Sequence, residues 1–370
     1  MTPGQKFDVH MMRIALEMAR RGLGSTAPNP SVGAVIADEV TGEVIARGWT
    51  QPGGRPHAEK EALRRGGELS SERARGKTMY VTLEPCAHTG RVPTCADAMQ
   101  TAGLKRVVCA LADPNPVVAG RGFQQLRDAG VQVDVGLLSE DAAWVTRGHV
   151  LRLTQARPFV QIKMALDSAF AIAEGDGAPV WVTSVEGRAF AHLLRAEADA
   201  ILVGAGTLRA DDPQLDCRLP GLADRSPDRV IVGTIGDAAH CKAFRTQDGK
   251  PRIWVASAVE GLRVPSGVAA LGDVSDGKGG VKLDALLAAL AKNGITRLLV
   301  EGGPRMWSSF LAAGLVDEVI VAVAPERGRG TMRTVLPTAP AAYFAKLGFS
   351  AADQFNVGPD RVQIFQRRDA

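Results

Sequence analysis

Aromatic residues, cysteines and long apolar runs are all scarce in this chain, and each scarcity excludes a class of protein. Only 5% of the 370 residues are aromatic, which leaves little for the stacking platforms of nucleic-acid binders. Five cysteines, an odd number, do not make the disulfide framework of a small secreted domain. No run approaches the ~20 apolar residues of a membrane span, and charges interrupt the amino-terminal segment where a signal peptide would need an apolar core. We therefore expect a cytoplasmic protein that binds neither membranes nor nucleic acid.

The charge balance and the length of the chain exclude further kinds of protein. The chain has 44 basic and 40 acidic residues, a net charge of +4, and lacks the dense basic footprint of a duplex binder. A small anionic substrate is compatible with this balance. At a typical ~100–200 residues per domain, the length indicates at least two domains.

Predicted strands alternate with predicted helices in both halves, which is typical of layered α/β domains. The first half has predicted strands at 32–36, 43–48, 78–83 and 106–111, and the second half at 159–165, 200–203, 297–300 and 318–323. Residues 147–158 contain little organised hydrophobicity and end in Arg157-Pro158, so we place the domain boundary there. The predicted domains are residues 1–150 and 157–370.

One histidine, one glutamate and two cysteines form the most informative motif. His57 and Glu59 open a predicted helix, and Cys86 and Cys95 are predicted at or near helix starts, where the backbone favours thiolates. One imidazole and two thiolates suit zinc, and three protein ligands leave the fourth position for water, as in catalytic sites. Glu59 would take a proton from the attacking water and deliver it to the leaving nitrogen. This is the pattern of zinc-dependent base deaminases, except that eight residues instead of two separate the cysteines.

Four motifs together resemble the bifunctional deaminase/reductase family of riboflavin biosynthesis. They are P-N-P-S-V-G-A-V from Pro28, H-A-E from His57, T-L-E-P-C from Thr82 with Cys95, and D-P-N-P from Asp113. The eight-residue gap between the cysteines is what that family shows. The resemblance continues through the second half of the chain.

The resemblance implies the fold, the reactions and the cofactors. The fold would be a cytidine-deaminase-like three-layer domain followed by a dihydrofolate-reductase-like α/β domain. The first domain would use one Zn²⁺ per chain to hydrolyse an amino group from 2,5-diamino-6-ribosylamino-4(3H)-pyrimidinone 5′-phosphate, with Asn29 in its pocket. The second would reduce the ribosyl group to ribityl with NADPH. The partner would be a small phosphorylated pyrimidine, and a homo-oligomer is compatible with the family.

The same resemblance implies site residues in the second domain. Gly204-Ala-Gly206 lacks the third glycine of a Rossmann fingerprint and instead fits the reductase pattern. Residues that resemble nucleotide contacts are Ala165, Trp181, Thr207, Asp211 and Gly303. Residues that resemble substrate contacts are Lys163, Arg195, Arg218 and Glu301, where cations would grip the substrate phosphate.

Two departures from the family pattern leave an alternative open. Residues 167–170 read Asp-Ser-Ala-Phe where the family has S-x-D-G, and Pro179 replaces a small polar residue. The loss of the aspartate and glycine would change the nucleotide pocket unless Asp167 rebuilds the turn. The alternative is a zinc deaminase of another base, cytosine or a tRNA adenosine, with a degenerate nucleotide-binding second module.

Overall fold

The chain folds as two compact units, Met1–Ala156 and Arg157–Ala370. The computed structural model describes residues 1–65, 73–87, 93–115, 118–173, 181–236, 240–246, 249–259, 264–272 and 274–367. Within those residues, none of the helices combines the length and the apolar character that a membrane crossing requires.

The first unit is built on a five-stranded sheet. Its strands are β1 Gly33–Ala37, β2 Val44–Trp49, β3 Thr78–Val81, β4 Arg106–Cys109 and β5 Gln132–Val135. Its helices are α1 Pro3–Arg20, α2 Ala58–Arg65, α3 Cys95–Thr101, α4 Arg121–Asp128 and α5 Ser139–Gln155. The sheet order is β2-β1-β3-β4-β5, in which β1 runs antiparallel to β2 and β3, and β3, β4 and β5 are parallel.

Alternation along the strands makes this unit a three-layer sandwich. Successive side chains of a strand point to opposite faces, so β1 serves two cores. Val35 and Ala37 pack in a cluster with residues of α1 and α5, whereas Ala34 and Ile36 pack in a cluster with residues of α2, α3 and α4. The sheet is therefore covered by helices on both faces, as the expected fold class requires.

The second unit is built on a nine-stranded sheet. Its strands are β6 Phe159–Leu166, β8 Ala200–Gly204, β9 Asp228–Val232, β10 Ile253–Ala256, β11 Val268–Leu271, β12 Arg297–Val300, β13 Glu318–Val323, β15 Phe349–Val357 and β16 Asp360–Arg367, and β7 Ala171–Ala173 pairs separately with β14 Met332–Thr334. Its helices are α6 Val185–Ala196, α7 Ala205–Asp211, α8 Leu283–Lys292, α9 Pro304–Ala312 and α10 Pro340–Lys346.

The topology of this sheet places its site. The order is β11-β10-β9-β8-β12-β6-β13-β16-β15, and all neighbours pair in parallel except for β16 with β13 and with β15. Carboxyl ends of parallel strands meet at one edge, which is where open α/β sheets bind ligands. Among the predicted reductase residues, Lys163 and Ala165 lie on β6, Thr207 and Asp211 follow β8, and Glu301 and Gly303 follow β12, so these residues lie towards that edge.

The segment in which we placed the domain boundary, residues 147–158, is helical as far as Gln155. Residues 147–155 are the end of helix α5, in which Ala142, Val145, Gly148 and Leu151 recur every three residues and are buried. The two compact units divide just after this helix, between Ala156 and Arg157. Asp8 precedes the apolar stripe of the first helix in the sequence, which predicts it as the helix cap, but this prediction was wrong. The cap is Thr2, whose hydroxyl accepts from the Gln5 backbone N–H in a capping box.

Asp8 has a tertiary role instead. It lies inside α1 and accepts hydrogen bonds from the Tyr80 hydroxyl at 2.6 Å and from the Arg106 guanidinium at 2.9 and 3.0 Å. These contacts join the first helix to β3 and β4. The choice between a local cap and a distant ion pair depends on the sheet, which the local sequence does not reveal.

Candidate active sites

The three predicted metal ligands of the first unit lie together. His57 comes directly before α2, Cys86 lies in the segment after β3, and Cys95 is the first residue of α3. The Nδ1 atom of His57 is 3.6 Å from Cys86 Sγ and 3.3 Å from Cys95 Sγ. The ligand atoms of all three residues lie within 4.8 Å of one another.

This geometry fits zinc. Zn–S bonds of about 2.3 Å and Zn–N bonds of about 2.0–2.1 Å in a tetrahedron place nitrogen and sulfur about 3.5 Å apart. The two observed distances, 3.6 and 3.3 Å, agree with that spacing. His57, Cys86 and Cys95 would therefore hold one zinc ion and leave its fourth position free, which the chemistry of hydrolytic sites requires.

The two thiols have unequal environments. A hydrogen bond from the Cys95 thiol lowers the pKa of Cys86 to about 4, and the Cys95 backbone N–H also donates to Cys86 Sγ at 3.3 Å. The same shared proton and burial raise the pKa of Cys95. The expectation for Cys95 at a helix start is met, but Cys86 lies in no helix among the described residues. Its thiolate is stabilised by the neighbouring cysteine and not by a helix of its own.

Glu59 is enclosed beside the ligands. It is the second residue of α2 and only 3% exposed. Burial raises the pKa of Glu59, while the adjacent His57 acts to lower it. A carboxyl group that is buried next to the three ligands, without being needed as a fourth ligand, is in the position of a proton carrier.

Asn29 belongs to the same neighbourhood. The Thr26 hydroxyl donates to the Asn29 carbonyl at 3.1 Å, and the Asn29 N–H donates to the Thr26 carbonyl at 3.0 Å, so Thr26 fixes the turn. The Asn29 amide packs on Gly54, where an added Cβ would lie 2.0 Å from Nδ2. Because Gly54 precedes His57 by three residues, this contact ties Asn29 to the ligand segment.

Sequence reasoning missed Glu84, which anchors a second loop to the metal segment. Its buried carboxylate accepts from the backbone N–H groups of Asp113 at 3.1 Å, Gly120 at 3.0 Å and Gly122 at 2.9 Å. An added Cβ at Gly122 would lie 2.1 Å from the Pro85 carbonyl. The only sequence signal was the presence of both segments in the resemblance motifs.

In the second unit, the predicted substrate residues converge at the carboxyl edge of the sheet. Arg195, on α6, donates from Nε and Nη2 to the two carboxylate oxygens of Glu301, both at 2.8 Å. The two side chains are 14% and 10% exposed. Burial alone would raise the pKa of Glu301, but Arg195 and Lys163 lower it to about 2. Burial lowers the pKa of Lys163, which Glu301 opposes.

Arg218 joins this cluster indirectly. Its guanidinium donates to an Asp216 carboxylate oxygen, and the Asp216 carbonyl accepts from Arg195 Nη1 at 3.1 Å. His192, one turn before Arg195, lies with Nδ1 3.1 Å from the same carbonyl. Sequence reasoning missed Asp216 and His192, which have no motif. Lys163, Arg195 and Arg218 against Glu301 and Asp216 leave one positive charge, which suits a phosphorylated substrate.

The predicted nucleotide residues surround two neighbouring glycine loops. Gly303 is the N-cap of α9, and Thr207 and Asp211 lie on α7, which starts after Gly204. An added Cβ at Gly302 would lie 3.6 Å from the Gly204 nitrogen, so the two loops are adjacent. At Gly206 and Gly303, an added Cβ would meet nothing within 4 Å. Backbone N–H groups at the start of a helix, with no side chain in the way, can bind the phosphates of a dinucleotide such as NADPH.

The remaining two nucleotide candidates differ in exposure. Ala165 lies on β6, in register with Ala322 of β13, and is partly buried. Trp181 is 64% exposed, and the Arg188 guanidinium lies 5.0 Å from the centre of its ring. An exposed indole before α6 has a face available for a ligand.

Asp167 rebuilds the turn at the first departure from the family pattern. Its Oδ1 atom accepts from the N–H groups of Ala169 at 2.8 Å and Ala171 at 2.9 Å, and its Oδ2 atom accepts from Gly328 at 3.1 Å. Phe170 then adopts φ +57°, the left-handed region that favours glycine. The other departure, Pro179, lies outside the described residues.

Comparison with known proteins decides the family. Residues 5–111 match the zinc-binding region of cytidine and deoxycytidylate deaminases, and residues 158–327 match the RibD C-terminal domain. The riboflavin biosynthesis protein RibD of Aquifex aeolicus is 38% identical over 87% of this chain and 88% of its own length. The RibD protein of Escherichia coli K12 is 39% identical over 86% of this chain and 88% of its own. The chain belongs to the RibD family.

Solved RibD structures agree over nearly the whole length. A RibD structure from Acinetobacter baumannii superposes with a TM-score of 0.79 at 34% identity, covering 98% of this chain and 99% of that one. A diaminohydroxyphosphoribosylaminopyrimidine deaminase/5-amino-6-(5-phosphoribosylamino)uracil reductase from Thermotoga maritima gives a TM-score of 0.82 at 31% identity, with the same coverage.

Membership of the RibD family covers both units. The protein is a bifunctional enzyme of riboflavin biosynthesis, with a zinc-binding deaminase domain and a reductase domain that uses NADPH. The alternative, a deaminase of another base with a degenerate second module, is not favoured, because the family matches extend through the second half.

Proposed function

We propose that this chain acts successively on 2,5-diamino-6-ribosylamino-4(3H)-pyrimidinone 5′-phosphate, first removing an amino group and then reducing the ribosyl group to ribityl. The observation that carries the proposal is the convergence of His57, Cys86 and Cys95 around one point beside the buried Glu59. The resemblance and the activity for which the Thermotoga maritima relative is named supply the substrate class.

In the first reaction, Glu59 would move the proton. Zinc, when bound by His57, Cys86 and Cys95, supplies Lewis-acid activation of the attacking water. The water oxygen forms a bond to the ring carbon, the carbon–nitrogen bond breaks, and ammonia leaves. Glu59 takes the proton from the water and returns it to the leaving nitrogen, which avoids releasing a charged amide. Asn29, tied to the ligand segment through Gly54, would hydrogen-bond the substrate ring.

In the second reaction, the protein would supply position and charge. NADPH, when bound, supplies the hydride for ribose C1, whereupon the bond from C1 to the ring oxygen opens and that oxygen takes a proton. We assign the substrate contacts to Lys163, Arg195, Arg218 and Glu301, and the nucleotide contacts to Ala165, Trp181, Thr207, Asp211 and Gly303. The rigid bidentate Arg195–Glu301 pair would hold the substrate end of the site at the sheet edge.

Mass spectrometry of the reaction tests both halves. The diaminopyrimidine ribosyl phosphate is incubated with zinc-loaded protein, with and without NADPH. We expect deamination without NADPH and a gain of two hydrogens only when NADPH is present. Deamination alone would show that the second unit does not reduce the intermediate, and no change at all would overturn the proposed substrate.

A matched control uses the same chain. Glu59→Gln should slow deamination by about 10²–10⁴, so that little reduced product accumulates from the diamino substrate. Supplying that variant with the deaminated intermediate should restore reduction. A cytoplasmic location, a homo-oligomer and the absence of nucleic-acid binding stay predictions.

A further inference from the structure

A buried aspartate at the carboxyl-terminal hairpin holds the start of the helix that carries Arg195. Asp360 opens β16, directly after the turn that joins it to β15, and is 0% exposed. Its Oδ2 atom accepts from the Ser184 backbone N–H at 2.9 Å and from the Ser184 hydroxyl at 2.7 Å. Ser184 is the N-cap of α6. Asp360 and Ser184 are 176 residues apart in sequence, so the contact between them is a tertiary contact.

The fit around this contact is tight. An added Cβ at Gly187, in the first turn of α6, would lie 2.1 Å from Asp360 Oδ2. The Ser184 hydroxyl accepts from the Gly187 N–H at 3.0 Å. A carboxylate at a helix amino terminus also interacts favourably with the helix dipole. Asp360 therefore fixes both the position and the direction of the first turn.

The first turn of α6 also holds Trp181. Arg188 donates from Nη1 to the Thr183 carbonyl at 2.9 Å, and its guanidinium lies 5.0 Å from the centre of the Trp181 ring. The opposite end of α6 is held separately, by the bidentate contact of Arg195 with Glu301. Helix α6 is thus held at its amino end, beside the proposed nucleotide residue Trp181, and at its carboxyl end, beside the proposed substrate residues.

We infer that Asp360 is a positioning residue for cofactor binding, which acts by holding Ser184 and thereby Trp181. The inference rests on the proposed function, in which Trp181 contacts NADPH. Asp360 lies beyond residues 158–327, the range that matches the RibD C-terminal domain. Because Asp360 is fully buried, we assign it no contact with either reactant. Its loss should weaken NADPH binding and leave the KM for the pyrimidine substrate unchanged at saturating NADPH, because Glu301 still fixes Arg195.

Two variants at position 360 separate the effect of the hydrogen bonds to Ser184 from the effect of side-chain volume. Asp360→Asn keeps an acceptor for Ser184, whereas Asp360→Leu keeps the volume and removes the acceptor. NADPH dissociation constants are measured by titrating the fluorescence of the nucleotide itself, without turnover. We expect Asp360→Leu to bind NADPH about tenfold more weakly, since a buried donor pair loses its charged acceptor, and Asp360→Asn to stay within about threefold.

The control is a buried aspartate of similar kind elsewhere in the same unit. Asp199 Oδ2 accepts from the Thr296 N–H at 2.7 Å, the Thr296 hydroxyl at 2.6 Å and the Arg297 N–H at 2.9 Å, at the amino end of β12. Asp199→Asn should lower the melting temperature without changing the NADPH dissociation constant. Deaminase turnover by the other domain of each variant reports whether the chain is intact.

Should Asp360→Leu fail to fold, Ser184→Ala is measured instead. This variant removes the hydroxyl that donates to Asp360 and accepts from the Gly187 N–H, and it should raise the NADPH dissociation constant about threefold, because the Ser184 backbone N–H still donates to Asp360. Unchanged NADPH binding in Asp360→Leu, or in Ser184→Ala if that variant is needed, overturns the inference, as does an Asn variant as weak as the Leu variant. Trp181→Ala tests the assignment of Trp181 to NADPH separately from the role of Asp360. If it binds NADPH normally, the proposed nucleotide assignment of Trp181 fails, and the route through Asp360 fails with it.

Discussion

The two active sites of this chain are built in different ways. In the first unit, the three proposed zinc ligands and the proposed proton carrier come from two short motifs, and the ligand atoms lie within 4.8 Å of one another. In the second unit, the charged residues come from β6, α6 and the segments after α7 and β12, and hydrogen bonds between them define the site. A metal site is recognisable from residue types and spacing, whereas a positioning site depends on how distant segments pack.

The largest expected effect is on the metal. Cys86→Ser should lose zinc and all deamination, because a serine hydroxyl is not a thiolate ligand at neutral pH. Reduction of supplied deaminated intermediate should continue. Metal content by elemental analysis, with Cys217→Ser as the control for a buried cysteine outside the site, checks this. Stoichiometric zinc in Cys86→Ser would remove Cys86 from the ligand set.

The next effect concerns Glu59. Glu59→Gln should keep zinc and slow deamination by about 10²–10⁴, the usual contribution of general acid–base catalysis. The ligands stay, but the side chain can no longer accept a proton. Turnover and zinc content are measured on the same preparation. Near-native turnover with zinc bound would show that another group moves the proton.

A smaller effect is expected at Arg195. Arg195→Lys should lower the kcat/KM of reduction by about 10–100-fold, since lysine cannot make the bidentate contact with Glu301. Deamination should not change. The control is Arg252→Lys, because Arg252 is 54% exposed in its pair with Asp228 and such surface pairs contribute only about 0–1 kcal/mol. Equal losses in both variants would mean that the Arg195 pair has no special role.

The smallest expected effect is on stability, at Phe170 in the segment that departs from the family pattern. Phe170 has φ +57° and packs partly buried against the core. Phe170→Gly and Phe170→Ala lose the same packing, but only glycine relieves the backbone. The glycine variant should therefore be more stable than the alanine variant by about 1 kcal/mol, measured by denaturant unfolding of the second unit. An alanine variant at least as stable as the glycine variant would show that the turn is unstrained.

Much of the first site could be predicted from sequence because its chemistry is local. His57 and Glu59 share the start of one helix, and Cys95 starts another, so residue spacing nearly fixes their directions. Glu84 could not be recognised as an anchor, because its three donors come from a loop that approaches it only in the folded sandwich. The end of α5 at residues 147–155 could not be predicted for a related reason: the apolar face of α5 is sparse in sequence but is completed by the sheet.

In the second unit, the resemblance named Lys163, Arg195, Arg218 and Glu301 without saying how they meet. The pairing of β12 with β6 places Val300 opposite Ile162, so Glu301 and Lys163 come next to each other at the sheet edge. Asp216 and His192 enter the cluster only because α6 lies over the same edge. Sequence reasoning also left the turn at residues 167–170 open, and the three backbone donors to Asp167 show how it is rebuilt.

The sequence by itself determined the alternating α/β elements and predicted both the zinc ligand set and the resemblance to the family, because apolar periodicity and ligand chemistry are properties of short segments. Only the tertiary structure decided which carboxylate holds which distant backbone. Glu84, Asp167 and Asp360 are ordinary acidic residues in the sequence, and burial makes each of them an anchor. A carboxylate removed from water must find donors nearby, and which donors are near is settled by the packing of the whole unit.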